Sequence, residues 1–209
     1  MSAHLTVMFL KRAETGNEII MRLVMICVMV AGLWLVGSLM DSQAEERREG
    51  DVMLGAVGLR GAVSWPNKGE SYHAYELFVT LPLQWRWAWP QGWEVSSNIE
   101  MSIGELRADG KRGLMVAAAP GIAWRRQSWR RLSLLANVGV ALLSEYDFGA
   151  QILGGPVQFI LSPGIDYQLW PQWHLSYRYR HVSNAALYHP NPGLELHFLG
   201  LSYRFESNG

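Results

Sequence analysis

Three side chains near the C-terminus of this chain have the types and spacing that acyl transfer needs. They are His181, Ser183 two residues later, and Glu195, fourteen residues beyond His181. A serine hydroxyl is a poor nucleophile until a base takes its proton. The base in turn needs a carboxylate to fix its tautomer and to stabilise the imidazolium that forms. These residues lie in the stretch "YRYRHVSNAALYHPNPGLELHFLG", Tyr177 to Gly200. Read as two strands around a turn, the stretch puts all three on the side that carries Tyr177, Tyr179, Leu199 and Leu201, which is the apolar side. A hairpin centred on Tyr188 sets His181 opposite Glu195 and Trp173 opposite Tyr203. Directly opposed Cβ atoms are about 5 Å apart, so the carboxylate reaches the ring.

The elements that must hold these residues follow from the rest of the chain. Its 209 residues are 49% hydrophobic and 17% charged with zero net charge, which gives no reason to expect nucleic acid. The excess is aromatic: ten Trp, eight Tyr and six Phe. An apolar run from Leu23 to Met40 follows Arg22 and precedes "DSQAEE". Small residues at Ser42 and Ala44 make this a secretory signal peptide cleaved after Ala44, preceded by an N-terminal extension, with Met21 as the expected start in place of Met1. The alternative is an uncleaved membrane anchor, since eighteen apolar residues just span a bilayer. The expected organisation is thus residues 1–44 as extension and signal, and 45–209 as one domain. Cys27 lies in the signal, so this domain contains no disulfide.

Within that domain one segment after another alternates. Odd positions from Tyr75 to Trp87 are apolar while the even ones include Glu76, Thr80, Gln84 and Arg86. The pattern repeats over Trp93–Ile103, Leu114–Trp124, Leu132–Leu142 and Val157–Leu169, whose inward set includes Gln158, Ser162, Asp166 and Gln168. A weaker strand over Val52–Val63 and the two around the candidate site make eight. Eight alternating strands of about ten residues behind a signal peptide predict an all-β fold, an eight-stranded antiparallel transmembrane β-barrel, apolar toward lipid and polar inside. A soluble sandwich or lipocalin-like barrel would place these polar faces in its core.

Connection lengths orient the barrel. "PNKGESYH", "RADGKR", "EYDFGAQILGGP" and "NAALYHPNPG" are expected as extracellular loops, and "AWPQG", "RQSWRR" and "WPQ" as periplasmic turns. Trp85, Trp87, Trp89, Trp93, Trp124, Trp129, Trp170 and Trp173 all fall at the short-turn end, as an interfacial girdle should. Arg178 and Arg180 point inward, toward acids such as Asp166 or Glu100, and His197 packs near Tyr179 at the interface. The histidines lack zinc-site spacing and the acids form no calcium loop, so no metal is expected.

The segment "RHVSNA…NPGLELHFLGLSYRF" resembles the outer-membrane lipid A 3-O-deacylase family. The resemblance rests on a His-x-Ser-Asn run, an Asn-Pro-Gly loop and a Glu on the last strand. It implies Ser183 as nucleophile, His181 as general base and Glu195 as its orienting carboxylate, with Asn191 contributing to the oxyanion site and Asn184 shaping it. Ala186 stands where the resemblance leads one to expect glycine, which implies a weaker oxyanion site if a backbone amide there takes part. It further implies an esterase that removes the 3-O-linked acyl chain of lipid A in lipopolysaccharide, among outer-membrane lipids, without a cofactor. Alternatives are another outer-membrane lipid acyltransferase or phospholipase, and a non-catalytic structural or adhesive barrel. The sequence sets no oligomeric state and leaves a homodimer open.

Overall fold

The computed structural model describes residues 54–66, 71–149 and 151–205. The signal segment, the proposed cleavage after Ala44 and the choice between Met1 and Met21 lie outside the described residues. The described residues form ten strands: β1 (Ala56–Ser64), β2 (His73–Ala88), β3 (Trp93–Ala108), β4 (Lys111–Arg126), β5 (Leu132–Leu143), β6 (Asp147–Phe148), β7 (Gln151–Ile152), β8 (Val157–Gln168), β9 (Trp173–Ser183) and β10 (Leu194–Arg204). Eight of them close in the order β1-β10-β9-β8-β5-β4-β3-β2, every neighbouring pair antiparallel, so no edge is left unpaired. The short β6 and β7 form a separate hairpin within the long connection between β5 and β8.

Period two along these strands separates two environments. Outward positions expose Leu59, Leu77, Met101, Ile103, Leu114, Leu161, Ile165, Leu175, Tyr177, Leu199 and Leu201, a surface suited to acyl chains and poorly suited to water. Six of the eight short-turn tryptophans make ring contacts there: Trp87 stacks on Trp89, Trp93 meets both Trp124 and Trp129, and Trp173 meets Tyr203. Trp85 and Trp170 complete the exposed band.

The interior is layered along the barrel axis. Beneath the long loops lies an apolar plug that includes Tyr72, Leu106, Met115, Phe148, Leu153 and Leu196. At mid-height Arg60 bonds Glu76 and Glu100, at 2.7 Å to each, while Arg178 reaches Glu100 at 2.8 Å and Arg180 reaches Glu76 at 2.6 Å. Inward glycines make room for this lattice: a Cβ at Gly104 would stand 2.7 Å from Glu76 Cγ, and one at Gly200 would stand 2.9 Å from Arg60 Cβ. Below the lattice the barrel opens into a cavity at the short-turn end.

Three features depart from the sequence reading. The "RADGKR" connection is a two-residue turn at Asp109–Gly110, with φ of 48° and 71°. Positive φ at both positions is what a tight hairpin needs, so β3 and β4 run sixteen residues each. In β2 the register shifts between Pro82 and Arg86, where proline cannot donate to the ladder. Ser97 Oγ donates instead to the Trp85 carbonyl at 3.0 Å. Finally, Arg178 meets Glu100 as expected, but Asp166 is held by His174 at 2.7 Å and Arg204 at 2.9 Å.

Candidate active site

The candidate site is built on the last hairpin of the barrel. His181 pairs with Glu195 and Trp173 with Tyr203, which is the register expected from a turn centred on Tyr188. His181 Nδ1 lies 3.5 Å from Glu195 Oε1, with side-chain exposures of 25% and 17%. That separation is longer than a formed hydrogen bond and short enough for a charge interaction. With Nδ1 turned toward the carboxylate, Nε2 is the ring nitrogen left to act as a base. Ser183 leaves the same face of β9 two residues on, roughly 6.6 Å along the strand.

Ser183 is less open than alternation alone implies. The residue is 4% exposed, pairs with Phe159 of β8, and marks the point where β9 passes under its loop. His181 and Glu195 keep partial access while Ser183 lies in a recess of the apolar outer surface.

The loop from Asn184 to Gly193 is held from several sides. The Asn184 side chain is fully buried and its Nδ2 donates to the carbonyls of Leu153 and Pro190, at 3.0 Å each. Asn184 therefore clamps the β5–β8 connection to the β9–β10 loop. Gln151 Nε2 donates to the Gly193 carbonyl at 3.2 Å, which ties in the β6–β7 hairpin. That hairpin is itself braced, as the Gly149 amide and the Lys111 ammonium hold the Asp147 carboxyl below its usual range. Gly193 has φ +68°, and a Cβ there would stand 3.2 Å from His181 Cε1. The glycine both permits the backbone turn and lets the loop lie against the catalytic-type ring.

Asn191 and the turn before it supply donors. Asn191 Oδ1 accepts the Asn184 backbone N–H at 3.1 Å, so its NH₂ is the end left to donate. The same bond consumes the Asn184 amide. The Leu187 N–H donates to the Asn184 carbonyl at 2.9 Å, and the two residues between, Ala185 and Ala186, have φ of 51° and 61°. Two positive φ values inside such a bond mark a type I′ turn, which favours glycine or asparagine at both central positions. Ala186 thus adopts the glycine-type conformation without being glycine.

Other residues of the last hairpin take quieter positions. Tyr188 packs over Gly155, where a Cβ would lie 2.6 Å from Tyr188 Cγ, and His189 is exposed. His197 packs edge-on to Tyr179 as expected. Its Nε2–H donates to the Trp65 carbonyl at 3.0 Å, and its Nδ1 faces the Tyr177 hydroxyl at 2.7 Å. Sequence reasoning missed this link, together with Gly193 and Gln151. The Asn-Pro-Gly run could have pointed to Gly193, whereas nothing local marked Gln151 or Trp65.

The fold defines the class: a transmembrane β-barrel, with His181 and Ser183 at the long-loop end of β9 and Glu195 beside them at the start of β10. A family profile described as lipid A 3-O-deacylase (PagL) matches residues 73–204. The chain belongs to that family, which makes it an outer-membrane hydrolase acting on ester bonds. It is 27% identical over 146 residues to the lipid A deacylase PagL of Bordetella bronchiseptica, covering 66% of this chain and 79% of the relative. The barrel also superposes on the crystal structure of the outer-membrane enzyme PagL with a TM-score of 0.59 at 20% identity. That match covers 71% of this chain and 99% of the other and speaks to the fold.

Proposed function

We propose that the protein hydrolyses the ester that links a 3-O acyl chain to lipid A, at the outer-leaflet rim of the barrel. Ser183 is the nucleophile, His181 the general base and Glu195 the orienting carboxylate. The observation that carries the reading is Glu195 directly across the ladder from His181, its carboxylate on the Nδ1 side of the ring. The family match supports the substrate class, and the apolar outer surface on both sides of the recess suits an acyl chain that never leaves the membrane.

In the first step Ser183 Oγ bonds to the acyl carbonyl carbon while its proton passes to His181 Nε2. The carbonyl oxygen becomes an oxyanion, met by the Asn191 NH₂ and by the backbone amides of Ala185 and Ala186, the two in the turn not already donated to Asn191 or Asn184. Collapse breaks the ester bond, and His181 returns the proton to the departing sugar oxygen. Water then attacks the acyl-serine with His181 again taking the proton, which releases the fatty acid and restores Ser183. The long loops face the cell exterior in this reading, because lipopolysaccharide is anchored in the outer leaflet.

Mass spectrometry of lipid A from cells making the wild-type chain or Ser183→Ala tests this. Loss of a 3-O acyl chain with wild type only is the expected result. Identical acyl patterns, with both proteins folded in the membrane, would sink the proposal.

A further inference from the structure

The short-turn end of the barrel holds a second feature that the hydrolysis does not use. A cavity of about 850 Å³ opens there, within the size range of small-molecule sites. Seven arginines line it, along with the carboxylates of Glu100 and Asp166. Both carboxylates are already engaged, Glu100 by Arg60 and Arg178 and Asp166 by His174 and Arg204. Arg86 pairs with Glu94 at 3.2 Å. Setting aside these paired arginines, 86, 178 and 204, leaves four of the seven: Arg125, Arg126, Arg130 and Arg131.

None of these four has a carboxylate partner among the described residues. Arg125 donates only to Ser133 Oγ, at 3.1 Å, and Arg126 lies over the Trp93 ring at 4.9 Å. The whole chain balances 18 basic against 18 acidic residues, so this excess is local. The mid-height lattice, by contrast, meets its arginines with carboxylates at hydrogen-bond distance. Arg126, Arg130 and Arg131 are exposed and Arg125 half-buried, so four like charges stand around one concave space where their fields add and attract an anion.

We infer that this cavity binds a phosphate-bearing ligand. Guanidinium groups match the oxygens of a phosphate in paired hydrogen bonds, and Ser96, Ser133 and Asn98 add neutral polar groups along the wall. The rim is also at the right depth for a headgroup. Arg126 rests on Trp93, which packs against Trp124 and Trp129 of the interfacial girdle, so the mouth opens at the level of lipid phosphates. The same chemistry is supplied by an anionic phospholipid headgroup or by a soluble phosphate ester. The orientation proposed above places the mouth on the periplasmic side, but binding itself does not depend on it.

The test uses the mature chain folded in zwitterionic detergent, with pyrophosphate as the probe and calorimetry as the readout. Saturable binding is expected, weakening as salt rises and falling on the order of 100-fold in the Arg126→Gln/Arg130→Gln/Arg131→Gln variant. Arg131→Gln alone gives a smaller loss in the same direction should the triple variant fold poorly. Arg107→Gln, at the opposite end and paired with Glu105, leaves binding unchanged. Displacement of the probe by phosphatidylglycerol but not phosphatidylcholine assigns the site to a headgroup, and failure of both to displace it assigns the site to a soluble ester. No saturable binding, or equal losses in the Arg107 and cavity variants, overturns the inference. So does binding that emerges only after deletion of residues 45–53, which would hand the cavity to the acidic run "EERREGD" of the chain itself.

Discussion

Arg180 and His181 are consecutive residues of β9, and each faces a glutamate, yet the two pairs are built for opposite purposes. Arg180 points into the lumen, is 1% exposed, and reaches Glu76 at 2.6 Å in a lattice shared with Arg60, Glu100 and Arg178. His181 points outward, keeps a quarter of its side chain accessible, and stands 3.5 Å from Glu195. A charge in this lattice is almost wholly buried, so its partners must be close and its hydrogen bonds nearly complete. The outer pair has slack, and slack is what a base needs if it is to receive a proton and then return it. On the proposed reading the lattice holds the barrel and the outer cluster acts on a substrate, so substitutions should separate the two sets by what they damage.

The largest effect falls on chemistry. Ser183→Ala lowers deacylation by about 10⁶-fold, the usual cost of removing the nucleophile of such a triad. The folded barrel survives, since one buried hydroxyl is lost and none of the lattice bonds involves Ser183. Fatty-acid release from purified lipid A, set beside the temperature dependence of folding, separates the two. A variant that loses activity and folding together would erase the distinction between the regions.

Glu76→Ala should do the reverse. It leaves Arg60 and Arg180 buried without that carboxylate, which costs about 3–5 kcal/mol of stability, as for other broken buried pairs. The molecules that still fold keep the Glu195–His181 geometry on the outer face and therefore keep kcat. Denaturant titration in micelles gives the first number and active-site-normalised turnover the second. Unchanged stability would mean that water, not Glu76, satisfies the lumen arginines.

Glu195→Ala comes third, with turnover reduced by at most about 10⁴-fold, the cost of losing a closely bonded triad carboxylate, and stability moved by less than about 1 kcal/mol. In the proposed mechanism the carboxylate fixes the ring and stabilises its cation, but it is partly exposed and stands 3.5 Å from His181 Nδ1. Full turnover in this variant would remove Glu195 from the mechanism and leave a Ser-His pair.

Much of this contrast was readable from residue order. Alternation survives intact through strands of up to sixteen residues, so all eight barrel strands and their two faces were legible, and loop symmetry gave the His181–Glu195 register. The lumen lattice was only half legible. Arg180 and Glu76 sit on β9 and β2, which are not neighbours in the sheet, so their contact crosses the barrel and obeys no ladder register. The β6–β7 hairpin has four paired residues, too few for a period to show. The register shift in β2 also stayed hidden, because its two extra residues leave the parity unchanged. The recess around Ser183 was hidden for another reason: alternation tells which face a side chain takes and nothing of the loop that covers it.

The smallest effect is the one that best tests the loop. Ala185 and Ala186 both hold positive φ in the turn closed by the Leu187 amide, a conformation that costs a residue with a Cβ about 1–2 kcal/mol. Ala186→Gly removes that strain at one position, and it also gives the unfolded chain more freedom, which offsets part of the gain. The net expectation is a stabilisation of about 0.5–1 kcal/mol, read as a small shift in the unfolding midpoint. Activity then decides what the turn is for. If its amides meet the oxyanion, as proposed, a relaxed turn keeps them aimed and turnover is equal or modestly higher. If the strain itself holds the amides in place, the glycine variant is more stable and slower. A variant no more stable than wild type would show that the clamp from Asn184 to Leu153 and Pro190, and not the residue at 186, sets the shape of the turn.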